Sequence, residues 1–258
     1  MKRTLWKVAP RLLVLVAVTP TLHGQSITPG DRLLENAFYA TDIPFLHGPG
    51  PTLQPQLAGF NLQTVNGFGS TYVYDFCADF FTGNNDDASF LVSPGLGGLG
   101  SSRQAEMRAL FSHALPAFNA LLDDYIVLNG GDWAYNAIYA SEYDELQGYA
   151  AGMQIALWEL IHEQTADLSI DDNGSTDGSF RIDVDAVPDT RAALGAAYAE
   201  QFLANIGTST WTDQGRVVYY FANAPDGEQD RLWMTIPEPS AALLGVLGFA
   251  ALFRRRRF

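Results

Sequence analysis

Residues 70–81 read STYVYDFCADFF and residues 151–163 read AGMQIALWELIHE, and these two stretches set the fold class. The first is dense in aromatic and β-branched residues and ends at the turn-forming TGNNDD, which predicts a buried strand. The second spaces its apolar residues as a helix does, and that face predicts burial. Each holds one residue out of keeping with its surroundings. Cys77 is the sole cysteine of the 258-residue chain, and Gln154 is a carboxamide set among alanine, methionine, leucine, isoleucine and tryptophan.

Outward from these stretches, strands and helices alternate irregularly. After the glycine-rich SPGLGGLGSS, a helical pattern starts near Ser102, meets Pro116 and continues through AFNALLDDYI, which predicts two helices or one kinked helix. Residues 129–164 read as mostly helical with an interruption around Asp144 to Gly148. SFRIDVDAV alternates as a strand, DTRAALGAAYAEQFLANIG is a helix closed by Gly207, and GRVVYYFANAP with DRLWMTI forms a terminal hairpin. The expected fold is α+β: a β-sandwich or barrel-like sheet with an inserted helical subdomain. The expected boundaries are a signal peptide at 1–24, an extended proline- and glycine-rich lead-in at 25–58, one module at 59–236 and a sorting tail at 237–258.

Both ends carry addresses. The opening MKRTLWKVAPRLLVLVAVTPTLHGQ places Lys2, Arg3, Lys7 and Arg11 around the start of an apolar stretch and reaches small residues near Gly24. That is the layout of a secretory signal, with cleavage expected near Gly24. At the other end Pro237, Glu238 and Pro239 precede an apolar run from Ser240 to Phe253, and Arg254, Arg255, Arg256 and Arg257 follow it. The run is shorter than the ~20 residues that comfortably span a bilayer, and the arginines favour a cytoplasmic end. This tripartite order resembles the PEP-CTERM signals of exported proteins in Gram-negative bacteria. The resemblance implies processing by an exosortase-type enzyme, transient membrane insertion of the tail, and residence in the cell envelope, on the cell surface or in the extracellular matrix.

Between the two ends, residues 25–237 hold 28 acids against seven arginines, a formal net charge of −21 (7 minus 28), and no lysine follows Lys7. Nucleic acid and anionic membrane surfaces are therefore excluded as partners of this region. Cations, amine-bearing molecules, basic proteins and neutral polysaccharide remain, and the charge also serves solubility.

On a helix, Gln154 shares a face with Leu157, Trp158, Ile161 and His162. A buried carboxamide must find hydrogen-bond partners or cost on the order of 1–3 kcal/mol. Taken singly, Gln154 reads as a satisfied core residue and Cys77 as a small buried hydrophobe that has no second cysteine to pair with. Taken together, FCADFF and QIALW resemble the thioester domains of bacterial surface proteins, in which a strand cysteine is joined to a glutamine in a Gln-x-Ala-x-Trp-like helix motif. The resemblance extends through ELI and a downstream helix to GEQDRLW, roughly residues 60 to 236. It implies a Cys77–Gln154 thioester, a stored electrophile that an amine can open. Phe76, Phe80, Phe81 and Trp158 would shield the bond from water or simply pack the core. His162, two turns beyond Gln154, would assist proton transfer or serve the helix end.

Three functions compete: a covalent adhesin that captures an amine-bearing or polysaccharide-borne partner, a cysteine-dependent amidase or acyltransferase with His113 or His162 as base, and a non-catalytic component of an exopolysaccharide matrix. No cofactor is expected. Asp171, Asn173 and Ser175 stand at alternate positions of a calcium-type loop that lacks the sixth-position glycine and a twelfth-position glutamate, so a solvated turn is the simpler reading. Because leader and tail both read as processing addresses, mature protein from its native host is expected to lack residues 1–24 and the chain from about Pro237 onward. Peptide mapping checks this, and a stable mature chain that keeps the arginine tail would remove the sorting interpretation.

Overall fold

The computed structural model describes residues 25–28, 31–47, 54–68, 71–78, 89–97, 99–163, 168–170, 180–182, 190–224 and 229–236. They form eight strands, β1 (Gln25–Ile27), β2 (Arg32–His47), β3 (Gln54–Val65), β4 (Val73–Cys77), β5 (Phe90–Pro94), β6 (Phe180–Ile182), β7 (Val218–Asn223) and β8 (Arg231–Thr235). Three helices, α1 (Ser101–Leu128), α2 (Ala140–His162) and α3 (Thr190–Gly207), enter the chain between β5 and β7. The fold is mixed α+β, a sheet with an inserted helical region. The strands join in one sheet in the order β1-β5-β7-β8-β4-β3-β2-β6, with every pairing antiparallel.

Strand alternation sorts the side chains onto two faces. Phe60, Leu62, Tyr74, Phe76, Leu232 and Met234 face the helices and join the main core, whereas Val65, Val73, Phe90, Val92 and Trp233 form a smaller cluster on the other face. Helix α1 meets the sheet through Met107, Leu110, Phe111, Ala114, Leu115, Phe118, Leu122 and Tyr125, a stripe at spacings of three and four. The rings of Phe76 and Phe111 lie 4.9 Å apart, and Phe118 meets Phe60 edge-on at 5.0 Å. Every residue of α2 from Gly148 to Leu160 is buried, so this helix forms the centre of the molecule.

Two expectations about the elements are corrected, and the choice between two helices and one across Pro116 is settled as one. The segment 25–58, expected as a lead-in outside the module, builds β1, β2 and the start of β3 into the sheet. Register shifts at Leu34/Asn36 and Ala40/Ile43 break the period-two pattern of β2, which is why its sequence lacks a clean strand signal. Helix α1 runs without interruption through Pro116. The interruption expected at Asp144 to Gly148 lies earlier, where Asn136 caps a short 3-10 turn at Ala137–Tyr139 by accepting the Ile138 N–H at 3.0 Å. Gly148 is needed inside the helix for packing: a Cβ there would stand 2.6 Å from Leu194 Cβ.

The same constraint recurs one turn on. A Cβ on Gly152 would meet Tyr198 Cβ at 2.5 Å and the Gly195 carbonyl at 3.1 Å, so α2 and α3 touch nearly backbone to backbone. Gly152→Val is expected to push the two helices apart and lower stability by about 1–3 kcal/mol. Urea denaturation checks this as a lower midpoint at unchanged slope.

Candidate functional site

Cys77 is the last residue of β4, and Gln154 projects from the middle of α2. The β3–β4 ladder ends one residue before Cys77, at the Phe60–Phe76 pair. Beyond it β3 is bound closely to β2: Gly59 has φ of 154°, and a Cβ there would lie 1.9 Å from the Phe38 carbonyl oxygen. Across the other edge of β4 the Ala78 N–H donates to the Asp230 carbonyl at 2.9 Å. Backbone groups of successive strand residues point to opposite sides, so the Cys77 N–H and carbonyl face the side that β3 has left.

Gln154 occupies that position. The Cys77 N–H donates to Gln154 Oε1 at 2.9 Å, and Gln154 Nε2 donates to the Cys77 carbonyl at 2.9 Å. A primary carboxamide has the donor and acceptor of a peptide group, so one side chain stands in for the missing strand residue. Gln154 is fully buried, and both of its polar atoms are satisfied by the residue that carries the chain's sole thiol. The two residues singled out in the sequence are thus in direct contact.

On the far side of Cys77, Arg231 Nη1 lies 3.3 Å from the sulfur. Arg231 stands opposite Cys77 in the β4–β8 register, and the same nitrogen is 3.7 Å from Asp75 Oδ1. Asp75 also accepts the Trp233 indole N–H at 3.0 Å. Arg231 and Asp75 are each only 2% exposed. Burial pushes the Asp75 carboxyl above its ordinary range, against the opposing pull of the Arg231 and Arg32 cations and of its hydrogen bonds. Sequence reasoning assigned no role to Arg231 or Asp75. The signal was there in YDFC and DRLW, where two apolar strands each place one charge, of opposite sign, two residues from Cys77 and Trp233 respectively.

Of the proposed shielding residues, Phe76 is wholly buried against Phe111, and Trp158 is 2% exposed with its ring 6.5 Å from that of Phe180. Phe80 and Phe81 lie outside the described residues, as do Asp171, Asn173 and Ser175 and the whole sorting tail with Pro237, Glu238, Pro239 and Arg254 to Arg257. Among the described residues no group of acids, histidines or cysteine could hold a metal ion, and no helix is long and apolar enough to cross a membrane. His162 lines a cleft of about 250 Å³ with Ala78, Leu96, Leu99, Ile161, Phe221 and Asp230. Ala78 and Asp230 neighbour Cys77 and Arg231 in sequence, but neither Cys77 nor Arg231 is among the residues that line the cleft. His113 is engaged elsewhere, its ring stacked on Trp211 at 5.0 Å and its Nε2 3.0 Å from the Thr212 carbonyl.

Comparison with protein-family models, curated proteins and solved structures finds no match. The functional reading therefore rests on the sequence motifs and the geometry.

The buried charges give a pH test. A carboxyl whose folded pKa is raised binds its proton more tightly in the folded state, so its contribution to stability is present in acid and is lost as pH rises through that raised value. Arg231 opposes the shift. Arg231→Met is expected to cost about 3–5 kcal/mol at neutral pH, because buried Asp75 loses the stronger of the two cations that act on it. It should recover part of that loss on acidification, to a greater degree than wild type. Urea unfolding across a pH series measures both effects.

Proposed function

We propose that this chain is an exported surface or matrix protein that stores a Cys77–Gln154 thioester and uses it once to capture an amine-bearing partner. The observation that carries the reading is the pair of 2.9 Å hydrogen bonds between the Gln154 carboxamide and the Cys77 backbone. The Cys77 N–H donates to the oxygen on which negative charge would develop during attack on the amide carbon, as an oxyanion donor does. The Arg231 guanidinium against the sulfur favours the thiolate needed as nucleophile. Sulfur attacks the Gln154 carbonyl carbon, the carbon–nitrogen bond breaks, and nitrogen leaves as ammonia with the proton given up by the thiol.

The second step reverses the roles. A primary amine attacks the acyl carbon, the carbon–sulfur bond breaks, the sulfur takes up the amine's proton, and residue 154 becomes an N-substituted glutamine. In this reading the amine would enter by the cleft that Ala78, the residue after Cys77, lines with His162 and Asp230, His162 accepting its proton and Asp230 attracting its positively charged form. Water is limited there by Leu96, Leu99 and Ile161. Since no lysine follows Lys7, the mature region has no ε-amine of its own to open the bond. The leader and tail supply the export and processing steps of the same proposal.

A second reading is favoured by one observation. The Gln154 amide completes the hydrogen bonding of β4 without any covalent step, which suits a structural matrix component in which the contact only joins helix to sheet. An amidase or acyltransferase would need turnover, and of the two candidate bases only His162 lines the cleft that Ala78, next to Cys77, helps to form.

Intact mass separates the readings. Mature protein is expected to weigh one ammonia less than its sequence, and Cys77→Ala or Gln154→Ala should each abolish the deficit. Methylamine should add its full mass to the thioester form and free the Cys77 thiol for alkylation. Fresh protein with unmodified glutamine at 154, rather than glutamate from hydrolysis, and with a free thiol would establish the structural reading instead.

A further inference from the structure

A second cleft, of about 420 Å³, lies where the loop after α1 folds back over the start of β4. Its volume falls in the range that holds small ligands. Tyr72, Tyr74 and Trp133 supply aromatic surface, and Asn119, Asp123 and Asp132 supply polar groups. Tyr72 is 42% exposed, and its ring stands 5.8 Å from that of Trp133 at 57°, so aromatic surface lines the mouth instead of being spent in the core. The loop that carries Trp133 is held in place: Asn129 Nδ2 donates to the carbonyls of Asp132 and Ala134, each at 2.9 Å, and the Tyr125 hydroxyl donates to the Ala134 carbonyl at 2.7 Å. A fixed ring loses little entropy when a ligand stacks on it.

The polar groups are of both kinds. The Tyr74 hydroxyl donates to Asn119 Oδ1 at 2.7 Å, which commits the oxygen of that amide to the protein and leaves its NH2 to donate. Asp123 stands exposed one turn beyond Asn119 on the same face of α1. Its charge reaches the cleft floor, where, with burial as the larger cause, it helps push the Tyr74 hydroxyl up to about 12. Asp132 uses Oδ1 to accept the Ala134 N–H at 2.9 Å, and its other oxygen offers a second acceptor.

The geometry points to a carbohydrate subsite here, in which a neutral hexose ring stacks on the Tyr72–Trp133 pair while its hydroxyls accept from Asn119 and donate to Asp123 and Asp132. A sugar ring has an apolar C–H face and hydroxyls that both donate and accept, and the cleft presents the complement of each. An organic cation would also be drawn to aromatic rings beside carboxylates, but it has no use for the Asn119 donor. The site is separate from Cys77 and does not depend on thioester formation.

An array of neutral hexose oligosaccharides tests this with the full chain as probe, followed by calorimetric titration of the tightest binder. At least one oligosaccharide should bind, with an affinity that added salt leaves unchanged. Asn119→Ala, Asp123→Ala and Trp133→Ala should each weaken it by about tenfold or more, and Cys77→Ala should not affect it. Asp123 is exposed, so Asp123→Ala with unchanged thermal stability carries the test if Trp133→Ala disturbs the loop. The subsite is overturned if no oligosaccharide binds, if binding survives Asp123→Ala and Asn119→Ala together, or if tetramethylammonium alone binds, weakly in high salt and not at all to Asp123→Asn.

Discussion

The two hydrogen bonds between the Gln154 carboxamide and the Cys77 backbone join the helical layer of this protein to its sheet. Without them the end of β4 would hold an N–H and a carbonyl with no ladder neighbour, because β3 has turned away to follow β2. That turn is possible only because Gly59 lets its backbone approach Phe38 more closely than any side chain would permit. The gap in the ladder, the glycine that makes it and the amide that fills it are one arrangement. Helix α2 must lie at a fixed height over the sheet for the amide to reach, and the glycines facing α3 set that height from behind.

Much of this was readable from the chain. The strand at 70–81, the buried helix at 151–163 and the terminal hairpin follow from side-chain periodicity, because each of those elements has an apolar pattern that only one backbone geometry can bury. The contact between Cys77 and Gln154 was legible for a different reason: singly each reads as a core residue, and only the resemblance of FCADFF and QIALW to thioester domains paired them. What escaped the sequence was long-range. The β2 strand loses its period at two register shifts, and Gly148 reads as a break when it is a packing contact with α3. Arg231 and Asp75 lie 156 positions apart, and neither strand alone shows that its charge has a partner.

The pair formed by those two residues is unusual in a molecule so short of basic side chains. One of only seven arginines in residues 25–237, a region that holds 28 acids, is kept almost out of water against one carboxylate and one sulfur. Replacing such an ion pair with apolar groups is often neutral or favourable for stability alone. Its position opposite Cys77 gives it a second contact, with Arg231 Nη1 3.3 Å from the sulfur. The carboxylate in turn holds the guanidinium over β4, where it meets Cys77.

The placement of β8 beside β4 has a mechanical consequence. The antiparallel register sets Cys77 against Arg231 at one end of the pair and Tyr74 against Met234 toward the other, where β8 ends at Thr235. A pull on β8 at Thr235, resisted at Cys77, would load this ladder from opposite ends. Its hydrogen bonds would then share the tension side by side in shear instead of opening one at a time like a zip. The force would pass through two adjacent strands at the middle of the sheet and bypass α1 and α3, so those helices could keep their packing while the molecule is under tension.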